Sequence, residues 1–246
     1  MIFNPATRTR KVMATLLTAG LLGGSAAGAL AASQHAPAQP PKAVQAAAAK
    51  STVPKPLTRA ETAAEDVIGF LENGQPAKSR AEARILRDLA HGQAADALRR
   101  AGVPEARITA LQQRADRTAR LSLGGAPALQ VSLAANSVSQ LMPGFYSRYH
   151  DPVPATVLKL DYLDRQVQLD SQAGHQARLR QTVRQLGATW QQLRPQLVGA
   201  GGATVAKAYD QHVTALKRGG TAIAIQQQAV HGLDIVDQME GVFLGK

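Results

Sequence analysis

From Thr58 to the C-terminus, apolar residues recur at helical spacing, and glycine or proline falls wherever a run stops. The clearest stripe is Leu179, Val183, Leu186, Trp190, Leu193 and Leu197. Its alternating steps of four and three draw one continuous apolar face along a helix over 175–198. Thr58-Arg59-Ala60-Glu61 has the form of a capping box, with Asn73-Gly74 closing that helix. Ser79-Arg80-Ala81-Glu82 opens a second helix, which runs to about Arg100 with a break at Gly92 and a stop at Gly102. Pro104 takes the N1 position of a helix reaching Leu123, before Gly124-Gly125. Pro127 starts one that ends at the Met142-Pro143 step, and Pro154 starts another over 153–173, closed by Gly174. Beyond Gly199 to Gly202, a shorter helix carries Val205, Tyr209 and Leu216. After Gly219-Gly220, a last helix from Thr221 to about Phe243 aligns Ile225, Ala229, Val236, Met239 and Phe243.

No alternating run of valine, isoleucine and threonine interrupts this pattern, and aromatics make up 4% of the chain. The expected fold is therefore all-α: seven to eight helices joined by short Gly/Pro turns, packed as antiparallel up-and-down bundles. Residues 58–150 form an N-terminal helical unit in this reading and residues 151–246 a C-terminal four-helix unit. The alternative is that the two form one continuous domain.

The first 57 residues read differently. Arg8, Arg10 and Lys11 precede an apolar stretch from Val12 to about Leu30, and no acid appears before Glu61. Ala29-Leu30-Ala31 supplies the small residues a signal peptidase needs, so 1–31 is expected to be a signal peptide cleaved after Ala31. The arginines are not adjacent, which indicates the general secretion route and a periplasmic or secreted product. An uncleaved anchor is the rival reading, but Gly20, Gly23, Gly24 and Gly28 dilute the apolar segment. Residues 32–57, rich in alanine, proline and glutamine and without an aromatic or an acid, are expected to be a disordered tether.

Charge bears on partners. The chain has 28 Lys+Arg against 17 Asp+Glu, a net +11. The leader holds three of the basic residues and no acid, so 25 against 17 remain after cleavage. Outside the cytoplasm such a balance favours anionic envelope components: phospholipid, lipopolysaccharide or teichoic acid. Between Ser171 and Tyr209 the charges are Arg178, Arg180, Arg184, Arg194 and Lys207, with no acid among them. Arg180 and Arg184 lie one turn apart, opposite the Leu/Trp stripe, so Arg178, Arg180, Arg184 and Arg194 are the expected anionic-surface contacts. Phosphates on nucleic acid would suit the same face, but no aromatic interleaves it for base stacking.

Two further constellations are candidates. The Met142–Pro152 junction gathers Phe145, Tyr146, Tyr149 and His150, and the flanking prolines imply a bent, exposed linker that could grip a flat ligand. His231 and Asp234 sit at i, i+3 on the last helix, and Asp161 and Asp164 repeat that spacing earlier; these are the candidate metal ligands. The Glu-x-x-His order of di-iron bundles is missing, however, and so is any His-x-x-Glu. With no cysteine in the chain, disulfides, c-type haem attachment and cysteine zinc sites are excluded. No nucleophile elbow or Walker A lysine occurs after the leader, and no motif assigns a cofactor. The Gly199-Ala200-Gly201-Gly202 loop before a helix N-terminus is an anion-binding candidate on backbone grounds alone. The resulting expectation is an exported, non-enzymatic helical bundle that binds at an anionic envelope surface. A metal or small-ligand carrier, and an enzyme whose site no motif marks, are the alternatives.

Overall fold

The computed structural model describes residues 51–246, which form an all-α helical bundle. Ten helices follow in order: α1 (Lys55–Glu72), α2 (Pro76–His91), α3 (Gln93–Arg100), α4 (Glu105–Leu123), α5 (Ala128–Ser139), α6 (Met142–Tyr146), α7 (Ala155–Gln172), α8 (Gln176–Gly199), α9 (Ala203–Arg218) and α10 (Ala222–Phe243). Two more arise than the pattern predicts at most, because Gly92 divides α2 from α3 and the Met142-Pro143 step winds into the short α6. Among the described residues there is no strand, only an isolated bridge between Thr52 and His150. The signal peptide and most of the tether lie outside the described residues.

Proline marks the helix starts, but from the position before the first turn and not within it. Pro54, Pro104, Pro127 and Pro154 each stand just before a helix, with ψ between 136° and 138°. Each offers its carbonyl to the N–H three residues on, at 2.8–2.9 Å. Proline is thus the N-cap here rather than N1, in an extended conformation that leaves the carbonyl free to close the first turn. For α1 this moves the start into the segment expected to be tether, and Thr58 and Glu61 fall inside the helix. Neither capping box forms, because Pro54 and Pro76 begin α1 and α2 before the boxes are reached. Their polar residues join helices instead. Ser79 Oγ donates to the Val67 carbonyl at 3.0 Å, the Arg59 guanidinium reaches Glu82 at 2.5 Å, and Glu61 accepts from the Tyr146 hydroxyl.

The main core runs from Leu57 on α1 to Met239 on α10, so both halves of the chain contribute to it. A smaller cluster of Val67, Ile68, Ala83, Val131 and Ala135 closes between α1, α2 and α5. Helix α7 lies at the centre and packs on α5, α6, α8 and α10. It is buried nearly all round: apolar Val157, Leu160, Leu163 and Val167 are covered, and so are Asp164, Arg165, Gln168 and Asp170. A helix in that position cannot leave its polar groups to water, so its side chains find partners inside, although Arg165 Nε is left without one. Asp170 accepts from Thr182 Oγ1 and Gln166 Nε2, both at 2.9 Å. Gln168 donates to Glu72 at 2.9 Å, and Asn136 donates to Gln166 at 3.0 Å. Burial works against the charge of Arg165, but Asp161 at 3.3 Å, together with Glu65 and Glu72, holds its pKa above the ordinary value.

Asp66 on α1 has no such arrangement. Burial, then the nearby Glu82, raises its carboxyl above the ordinary value, and Arg59 only partly offsets them. A carboxyl raised in the fold favours the protonated form, so its contribution to stability is largest at low pH and is lost as pH rises through the folded-state value. Asp66→Asn removes that cost. The variant should melt above the parent at pH 7, and the gap should close below about pH 4, where the parent carboxyl is protonated folded and unfolded alike. Equal melting temperatures at both pH values would show that Asp66 carries no burial cost.

Candidate anion-binding surface

Helix α8 buries the whole Leu179–Leu197 stripe, and this leaves Arg180 and Arg184 exposed on its far side. Neither forms an ion pair with a described carboxylate. The other two expected contacts are engaged. Arg178 Nε lies 3.7 Å from the buried Asp170, and Arg194 Nε reaches both Asp210 oxygens at 3.1 and 3.0 Å. Asp210 also accepts from Trp190 Nε1 at 2.7 Å, so Arg194 is held by an acid that satisfies the buried indole. At 1.5 Å per residue, Arg194 stands about 21 Å along α8 from Arg180 and does not share a patch with it.

The structure adds two cations that the sequence reading did not place on this face. Trp190 and Arg194 of α8 meet Asp210 of α9, while the space above Gly187 is filled by Val213 and Lys217. Contacts therefore advance along α8 as they retreat along α9. The last turn of α9 then lies beside the Arg184 level, with Lys217 Cε 3.2 Å from where a side chain on Gly187 would begin. Lys217 and Arg218 are exposed and, like Arg180 and Arg184, pair with no described carboxylate. Four cations from two helices, none paired with a described carboxylate, thus lie toward one end of the bundle. The turn into α10 belongs to the same end, since Ser171 Oγ donates to the Ala222 carbonyl at 3.1 Å and Ile223 follows, 68% exposed. Nothing in the sequence fixes the register of α8 on α9, which is why Lys217 and Arg218 could not be read as partners of Arg184.

The aromatic junction is not the exposed linker expected. Phe145 is fully buried, Tyr146 donates to Glu61, and the Tyr149 hydroxyl donates to the Ala97 carbonyl at 3.0 Å. Tertiary packing has drawn these rings into the core between α1, α3, α4 and α6. Of the four, only His150 is exposed, and its backbone N–H holds the Ser51 carbonyl at 2.8 Å, pinning the end of the tether. The glycine loop is also occupied: Gly202 donates to the Leu197 carbonyl at 2.9 Å and lies against the Leu197 side chain, closing α8.

The candidate metal ligands are dispersed. His231 and Asp234 lie on the exposed side of α10, while Asp161 is engaged by Arg165. Among the described residues, no group of three or more metal-ligating side chains converges. Asp164 anchors a different arrangement. It is completely buried, with one oxygen accepting from the Tyr209 hydroxyl at 2.7 Å and the other 2.7 Å from His212 Nε2. Gln228 of α10 meets His212 Nδ1 at 3.0 Å. The ring is thus held from both nitrogens, by Asp164 on one side and Gln228 on the other. Burial raises the Asp164 carboxyl, and His212 and Tyr209 pull it back. Tyr209 is pushed well above its ordinary value by burial and then by Asp164. Trp190 and His212 both rest against the Tyr209 ring, with centroids 4.8 Å away. All three polar groups are closed to solvent and paired with one another, so the cluster fixes α7, α9 and α10 together and leaves no atom open to a substrate.

Sequence reasoning missed this cluster because Tyr209 fits an apolar stripe and Asp164 resembles a surface acid. The available signal was Gly232, a helix-interior glycine that ordinarily costs about 1 kcal/mol and so marks a close approach. A side chain there would begin 2.5 Å from His212 and 2.7 Å from Asp164.

No family model, curated protein or solved structure matches the chain.

Gly232→Ala tests the cluster with opposed expectations. Helix propensity alone predicts a gain of about 1 kcal/mol. The crowding of His212 and Asp164 predicts a net loss of about 1–3 kcal/mol in chemical denaturation. A stabilised variant would mean that α10 does not press on the pair.

Proposed function

We propose that the protein is an exported, non-enzymatic binding module that docks on an anionic surface of the cell envelope through the α8–α9 end of the bundle. The observation that carries this reading is Lys217 packed over Gly187, which sets the end of α9, with Lys217 and Arg218, at the end of α8 that bears Arg180 and Arg184; all four are exposed and none pairs with a described carboxylate. Several other surface arginines are paired with acids, as with Arg59 and Glu82, Arg99 with Asp96 and Glu105, and Arg194 with Asp210. Cations left unpaired in one place produce a local field that attracts polyanions and weakens as salt rises. Exposed Ile223 beside them offers an apolar contact where the partner is a lipid surface. The amino-terminal leader supports delivery to that compartment.

Co-sedimentation of the exported chain with isolated envelope fractions, across a salt series, tests the proposal. Each basic residue near an anionic membrane is worth about 1 kcal/mol, so Arg180→Glu with Arg184→Glu should reduce retention at least about tenfold. Lys217→Glu with Arg218→Glu should do the same. Reversal of Arg117 and Arg120, which lie exposed on α4, gives the same net charge away from the face and should leave most of the retention intact. An equal loss in all three double variants would show that total charge acts rather than this surface.

A further inference from the structure

We infer that a cavity beside α6 binds the phosphate group of a small phosphorylated molecule, at a site separate from the α8–α9 face. The cavity, about 420 Å³, is lined by Ala101, Arg107, Gly144, Ser147 and Arg148. Gly144, Ser147 and Arg148 belong to the Met142–Pro152 junction, whose buried rings are not among the lining residues.

Arg107 is the central group. It comes from the first turn of α4, and its guanidinium carbon lies 5.0 Å from the centroid of the Phe145 ring. Nη1 donates to the Gly144 carbonyl at 3.4 Å. These contacts hold the guanidinium against an aromatic face while committing only one of its five N–H donors. Gly144 makes this seat possible, because a side chain there would begin 2.2 Å from Arg107 Nη2. A glycine inside a helix is costly, and here it leaves room for a cation.

Among the described residues the cation has no counter-charge paired with it. Neither Arg107 nor Arg148 pairs with a described carboxylate. The nearest acids in sequence are engaged elsewhere: Glu105 with Arg99 at 2.9 Å, Asp116 with His91 at 2.9 Å, and Asp151 with the Val153 N–H at 2.9 Å. A part-buried, preoriented guanidinium next to a second arginine suits an oxyanion bearing two charges, which it can meet bidentately; the Ser147 hydroxyl on the same wall donates to the Gly144 carbonyl at 3.1 Å. The volume exceeds what the phosphate alone would fill, and Ala101 provides an apolar wall, so an uncharged organic portion fits beside it.

The test is calorimetric titration of the full chain with glycerol 1-phosphate and with inorganic phosphate at low ionic strength, using chloride as the control anion. Saturable binding of the phosphate compounds over chloride is expected. Arg107→Gln and Arg148→Gln should each weaken it at least about tenfold, with Arg107→Lys in between because the charge survives without the fork. Gly144→Ala should weaken it comparably with both arginines still present, and circular dichroism should show unchanged helix content. Arg180→Glu with Arg184→Glu should bind as the parent does, which separates this site from the docking face. Vesicles containing phosphatidic acid form the second arm: binding there that is lost with Arg107→Gln, and absent with glycerol 1-phosphate, would assign the phosphate to a lipid headgroup. No saturable binding in either arm, or affinity unchanged by Arg107→Gln and Arg148→Gln, would overturn the inference.

Discussion

A central helix buried on nearly every side has to bring its own counter-charges or borrow them, and α7 does both. Transfer of an unpaired ion into such a position costs several kcal/mol even after relaxation. The bundle avoids that cost by matching Asp164 with His212 and Tyr209, Asp170 with Thr182 and Gln166, and Arg165 with Asp161 and the α1 carboxylates. Each pairing fixes a neighbouring helix at one height along α7. An apolar seam of leucine and alanine tolerates sliding, whereas a carboxylate opposite an imidazole and a phenol does not. The placement of α9 follows from this, and with it the height at which Lys217 and Arg218 emerge beside α8.

The same economy explains the distribution of surface charge. Acids are fewer than bases, and many of them face inward or serve a specific donor: Glu61 for Tyr146, Glu72 for Gln168, Asp210 for Trp190. Some of the arginines left over lie at the α8–α9 end and around the α6 cavity. A positive face in this protein is in part the outward result of carboxylates drawn into the core.

Helix boundaries were legible because glycine and proline act locally. Gly74, Gly102, Gly125 and Gly174 end helices in the left-handed conformation, as their positions in the sequence suggest. The Leu179–Leu197 stripe is likewise buried along its length. Polar residues were harder to read, since their partners are chosen across helices. Thr58-x-x-Glu61 and Ser79-x-x-Glu82 satisfy a local rule in sequence, but prolines a few residues earlier had already opened both helices. Asp161 and Asp164 look like solvent-facing acids until α7 is seen to be covered. The expected exposure of Phe145, Tyr146 and Tyr149 failed for a related reason: flanking prolines mark a bend but do not say on which side of the core the bend lies.

Trp190 is the chain's single tryptophan. Its indole N–H is held by Asp210, and its ring rests on Tyr209, which in turn donates to Asp164. The molecule therefore carries one indole, excitable apart from its tyrosines, set where α8 and α9 meet and one residue removed from the buried carboxylate. Its emission reports on the seam that positions the cationic end. Loosening of that seam by heat, acid or a docked partner can be followed by light from the unmodified protein, with no label attached to the surface under study.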